Sequence, residues 1–181
     1  MEIEFGINDE SLLNPYGNLT SKGRGVCGGF GSETCSDVYN NQTVTVYTYH
    51  HYIVEAGKNF TSKGASVVVS SRMPINVFQN GTYHYDRDVF TYYAQEAAHA
   101  IGKGASFVDH GLALAEAYKA LGPSVVNSYY PMDNTHTSVA GAQLSARTYV
   151  EAVKAKWNGT TPLSPYLTTN WTSLFVKSDW E

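Results

Sequence analysis

Ala65-Ser66-Val67-Val68-Val69-Ser70-Ser71 (ASVVVSS, residues 65–71) is the stretch on which the fold turns. Three consecutive β-branched residues without polar alternation predict a strand covered on both faces, the signature of a parallel sheet. Upstream, Val46, Tyr49, Ile53, Ala56 and Phe60 recur at three- and four-residue steps and predict a helix ending near Lys63–Gly64. Downstream, Phe90, Tyr93, Ala97 and Ile101 repeat that step as far as the breakers Gly102 and Gly104, and ASFVDH (105–110) reads as another short apolar strand. Leu114, Tyr118 and Leu121 predict a helix stopped by Gly122–Pro123, and Val139, Ala142, Ala146, Val150, Val153 and Trp157 predict a last one. At the start, Met1, Ile3 and Phe5 alternate with Glu2 and Glu4, as in a strand that breaks at Gly6. The order strand, helix, strand, helix, strand, helix, helix indicates an α/β layered fold with right-handed crossovers. Residues 10–44 show no sustained periodicity and read as a long loop, and residues 158–181 as an irregular tail.

At 181 residues the chain suits one domain, 1–181, with a substantial core. A hydrophobic fraction of 43% argues against disorder. With a formal charge of −4 and its arginines scattered at Arg24, Arg72, Arg87 and Arg147, the chain has no basic footprint and nucleic acid is not an expected partner. No apolar run reaches the roughly 20 residues that span a bilayer, so no membrane partner is expected, and the first residues lack a signal-peptide profile.

Six Asn-x-Ser/Thr sequons, at Asn18, Asn41, Asn59, Asn80, Asn158 and Asn170, nevertheless point to a secretory route and an extracellular location. Export-like sequons beside no export signal lead to the expectation that Met1 is an internal start. Cys27 and Cys35 lie in the Gly-rich VCGGFGSETCS (26–36), eight positions apart. That is neither a zinc nor a redox spacing, which leaves two free thiols or a disulfide. An oxidising compartment favours the disulfide.

In α/β sheets, ligands bind beyond the carboxyl ends of the strands, which directs attention to two loops. The late one reads YYPMDNTHTSVAGA (129–142), with Asp133 three residues before His136 and Thr137 or Ser138 able to cap the next helix. A carboxylate so placed can accept the Nδ1 proton, fixing the tautomer and leaving Nε2 as a general base. The alternative is a turn-forming Asp and a surface His. In the early loop, Gly6-Ile7-Asn8-Asp9, Asn8 can aim an amide N–H at an oxyanion, or the four residues can be an ordinary turn. His50, His51 and His84 show no metal-ligand spacing, and no Gly-rich phosphate loop follows a strand. The many tyrosines suit sugar stacking or simple core and rim packing.

Taken together, Gly-x-Asn-Asp after a strand and Asp-x-x-His before the C-terminal helix resemble blocks of the SGNH (GDSL-type) hydrolase superfamily. FGIND (5–9), the Cys-x7-Cys loop, KGASVVVSSRMPIN (63–76), VDH (108–110) and VNSYYPMDNTHTSVAGA (126–142) are similar, in this order, to the rhamnogalacturonan acetylesterase branch. The resemblance covers residues 1–155. It implies a three-layer, flavodoxin-like parallel sheet, here without its first two strands. It also implies His136 as general base, Asp133 as its orienting partner and Asn8 as oxyanion-hole side chain, with no metal or organic cofactor. The implied reaction removes acetyl groups from an acetylated pectic polysaccharide, or a small ester, through a serine-bound acyl intermediate. The family's Gly-Asp-Ser block and its oxyanion glycine block do not occur in this sequence, nor does a Gly-x-Ser-x-Gly elbow. Ile7 stands where the branch commonly has His. Two readings follow: a portion of a secreted acetylesterase, or a non-catalytic carbohydrate-binding remnant of the same fold.

Overall fold

The computed structural model describes residues 1–11, 24–155 and 161–167, grouped in two compact units: 1–72 with 88–107, and 73–87 with 108–181. Asn18, Asn158, Asn170 and Trp157, all invoked from the sequence, lie outside the described residues.

The first unit is built on a three-stranded sheet in the order β1 (Glu2–Ile3), β6 (Val67–Ser70), β7 (Ala105–Val108). β1 runs parallel to β6, with Glu2 opposite Val68 and Ile3 opposite Val69. All four β6 residues are buried, as an unbroken valine run requires of a strand with both faces covered. Two helices, α1 (Tyr49–Ser62) and α2 (Val89–Ile101), pack on β6 and on each other. Ile3, Ile53, Val67, Val69, Phe90, Tyr93, Ala97 and Phe107 fill the core between them. Thr48 caps α1 by accepting from His51 N, and Asp88 caps α2 by accepting from Thr91 N.

Within residues 10–44 the structure differs from the sequence reading, which treated the segment as loop. β2 (Glu10–Ser11) pairs in parallel with β3 (Gly25–Val26), and β4 (Thr34–Tyr39) forms an antiparallel hairpin with β5 (Gln42–Tyr47). Asn40 and Asn41 make the two-residue turn with φ of 51° and 61°, the left-handed geometry that hairpin turns need and Asn tolerates. β4 buries only the polar Asp37, and in β5 the alternation is short, with Val44 and Val46 half-buried between exposed residues, so neither carries the longer apolar alternation that announces a half-buried strand. Val46, read as the start of the helix, is in β5; α1 begins three residues later because Thr48 caps it there. The protein is thus an α/β fold with both parallel and antiparallel pairing rather than purely parallel pairing. A Cys27–Cys35 disulfide, with Cα atoms 5.7 Å apart, ties the turn after β3 to β4.

The second unit is helical. α3 (His110–Ser128) is capped by Asp109 and breaks at Gly122, where φ is 77° and ψ 168°, before Pro123 starts another helical segment. Gly122–Pro123 therefore stops the first helical segment, as the sequence indicates, and proline is compatible with the first turn of the segment that follows it. α4 (Val139–Lys154) starts at its N-cap Ser138 and packs on α3. Val77, Phe78, Leu114, Tyr118, Val126, Tyr130 and Leu144 form this unit's core, and a 3-10 turn occupies Ser164–Tyr166. No described helix is long and apolar enough to cross a membrane.

Candidate functional site

Asp133 and His136 are brought together in the second unit. The ring Nδ1 lies 2.8 Å from Asp133 Oδ2, while Asp133 Oδ1 accepts from the backbone N–H of Thr135 and of His136, each at 2.7 Å. Sequence dictates this locally: an Asp side chain that bonds backbone two and three residues ahead forms an Asx-type turn, and the turn carries residue 136 back over the carboxylate. The His136 backbone N–H, the His136 ring and the Thr135 N–H, in that order, stabilise the charged carboxylate and hold Asp133 down at about 2. With Nδ1 on Asp133, the ring's second nitrogen faces outward from a side chain that is 81% exposed. A neutral imidazole held this way donates from Nδ1 and accepts a proton at Nε2.

The loop around the pair is fastened at both ends. Ser138 N donates to Tyr129 O at 2.6 Å, closing its neck. Gly141, on the first turn of α4, packs so closely that a Cβ there would sit 2.9 Å from Thr137 Cβ and 3.0 Å from Tyr129 Cβ. Buried Asn76, which sequence reading did not single out, reaches the loop from the segment after β6.

Asn8 belongs to the first unit, exposed on the loop that follows β1. Its Oδ1 accepts from Arg24 Nη1 at 3.3 Å, so the amide NH2 is the end left to donate. Gly6 makes the bend with a φ of 114°, and a side chain there would also press on Arg72 and Phe90 at 3.3 Å. The bend is braced by Arg72 Nη1 donating to Gly6 O at 3.3 Å and by the Tyr49 hydroxyl donating to Phe5 O at 3.2 Å. Arg72 is itself paired with Asp88, the α2 cap. Asp9, passed over in the sequence as a turn former, is half-buried, and desolvation raises its carboxyl above the usual range against the opposing pull of the Gly6 N–H, Arg72 and Arg24.

A serine beside a histidine also occurs inside the second unit, where Ser145 Oγ is 3.4 Å from His110 Nε2. That nitrogen is only 3.0 Å from the Ser145 carbonyl oxygen, which can only accept. His110 therefore carries its proton on Nε2 and cannot take one from Ser145, and both residues are buried. The contact ties α3 to α4. Among the described residues, no group of three His, Cys, Asp or Glu side chains is arranged to hold a metal ion.

No family model matches the chain. Over 151 residues, 83% of its length, the chain is 42% identical to the rhamnogalacturonan acetylesterase of Emericella nidulans. It spans 59% of that protein's length.

Proposed function

We propose that the chain, homologous over most of its length to a rhamnogalacturonan acetylesterase, carries the proton-handling part of an SGNH (GDSL-type) acetylesterase acting on rhamnogalacturonan-like pectic polysaccharide. The observation that carries this reading is the bonded pair of Asp133 and the exposed His136. In the proposed reaction His136 Nε2 accepts the proton of an attacking serine hydroxyl, and Asp133 stabilises the imidazolium that results. The same proton then passes to the departing sugar oxygen, and a second cycle with water releases acetate. Asn8 is assigned the oxyanion, through the amide N–H left available by its bond to Arg24. The 181 residues hold no Gly-Asp-Ser block, so the serine itself is not assigned to this chain. The proposal takes residues 1–181 as part of one SGNH-type domain with a flavodoxin-like sheet.

A secretory route fits the same reading. The Cys27–Cys35 disulfide is consistent with an oxidising compartment. Asn41, in the β4–β5 turn, and Asn80 are exposed and are proposed to carry N-glycans, whereas Asn59 lies inside α1.

The test joins to this chain the part of the Emericella relative that the match does not cover, and measures acetate released from acetylated rhamnogalacturonan. Release that falls at least about a thousandfold on His136→Ala supports the reading, in line with the loss of a triad base. Release indifferent to His136→Ala overturns it. A second reading, a non-catalytic glycan-binding protein, is favoured by the absent Gly-Asp-Ser block alone. It requires that the chain bind pectic oligosaccharides and that the joined protein release no acetate.

A further inference from the structure

Asn76 is a buried polar residue hydrogen-bonded at both ends of its carboxamide. Its Nδ2 donates to Asn127 Oδ1 at 2.9 Å and to Asn134 Oδ1 at 3.3 Å, and its Oδ1 accepts from Phe78 N at 3.0 Å. Its backbone N–H donates to Asn134 O at 2.8 Å. Asn134 sits between Asp133 and His136, and Asn127 is in the last turn of α3. A single carboxamide thus fixes the middle of the His136 loop to a helix end and to its own segment, with 3% of the residue exposed. Residues 131–136 are exposed throughout, so hydrogen bonds rather than burial hold the Asp133 turn: its own two, the one at the loop's neck and this clamp. Of the three asparagines only Asn76 is buried, so its carboxamide has no water to turn to and is satisfied by these partners.

We propose that Asn76 is a positioning residue for His136: by clamping Asn134 it keeps Asp133 under Nδ1 and so determines which ring nitrogen is the base. The inference deepens the acetylesterase reading and rests on it for its importance to catalysis, but it is tested without catalysis. The ring of His136 is followed by NMR in the whole chain, by the downfield proton signal of an Nδ1–H held in a hydrogen bond and by the 15N shifts that report the tautomer. Asp133→Asn calibrates the experiment, since an amide NH2 facing Nδ1 cannot accept its proton and so erases both the bonded Nδ1–H signal and the preference for that tautomer. Asn76→Ala is expected to move both readouts at least halfway to the Asp133→Asn values. Leu114→Ala, a core variant of the same unit, is expected to move neither, which separates positioning from general loss of stability.

If Asn76→Ala fails to fold, Asn127→Ala removes the clamp's anchor from outside the loop and is expected to shift the same readouts in the same direction. Native values of both readouts in a folded Asn76→Ala or Asn127→Ala chain overturn the inference while leaving the Asp133–His136 pair intact. Native values in Asp133→Asn overturn the pair itself, and the acetylesterase reading falls with it.

Discussion

His136 and Asp133 are near enough in the chain that three residues of turn geometry bring them together, which is why their pairing was legible in the sequence. Asn76 is the opposite case. Its partners lie 51 and 58 residues away, and nothing in Met73-Pro74-Ile75-Asn76 marks the asparagine as one that will be buried. Asp133 titration is a direct check on the pair. Its carboxyl is held below the ordinary value of 3.8, at about 2, so what its ionisation contributes to loop order is complete above about pH 4 and lost as pH falls through 2. The 13C shift of its carboxyl carbon is expected to show a midpoint near 2, and a midpoint near 3.8 would mean no bonded pair. Gly141 makes a second check, because a Cβ would meet the Cβ atoms of Thr137 and Tyr129, which cannot swing away as a side-chain tip can. Gly141→Ala is expected to destabilise by about 1 kcal/mol or more, the overpacking cost exceeding alanine's helical advantage of about 1 kcal/mol. Urea unfolding measures it.

At the scale of elements, the helices were read correctly because their burial is periodic and the valine strand because its burial is unbroken, and the β4–β5 hairpin was missed because a turn sets its register and a cross-link fastens it to the chain after β3. Asn40 and Asn41 supply the turn and Cys27–Cys35 the cross-link. Closing that short loop constrains the unfolded chain, and reduction is expected to cost the first unit about 2–3 kcal/mol, read as a lower urea midpoint in dithiothreitol. An unchanged midpoint would show the bridge to be incidental. Thr48 joins the hairpin to α1: its hydroxyl accepts from His51 N at 2.9 Å and donates to Gly31 O at 2.6 Å. Thr48→Ala therefore uncaps a helix and takes the donor from the Gly31 carbonyl, for about 0.5–2 kcal/mol, and Thr48→Ser is expected to recover most of it.

Seen as a whole molecule, the protein has a separate core in each unit, and the first unit also carries an open cleft. Met1, Ile3, Phe5, Val26, Tyr49, Ile53 and Phe60 are among the residues that line about 600 Å³ beside β1. Phe5 is 61% and Met1 56% exposed there, which is unusual for side chains of that size in one place. The folded chain is expected to raise the fluorescence of anilinonaphthalene sulfonate, and Phe5→Ser to weaken that signal without lowering the unfolding midpoint. Dye binding unaffected by Phe5→Ser would locate the apolar surface elsewhere. Sequence by itself determined the α/β class, the α1 and α2 faces, the buried strand and the local turn that sets Asp133 beside His136. Each of these depends on residues within one or two turns of one another, where chain geometry leaves few alternatives. Tertiary structure alone decided the hairpin pairing, the silent Ser145–His110 contact, and the clamp of Asn76 on the His136 loop. Those depend on which distant groups meet when water is excluded, and a buried amide or imidazole has no local signature until its partners arrive.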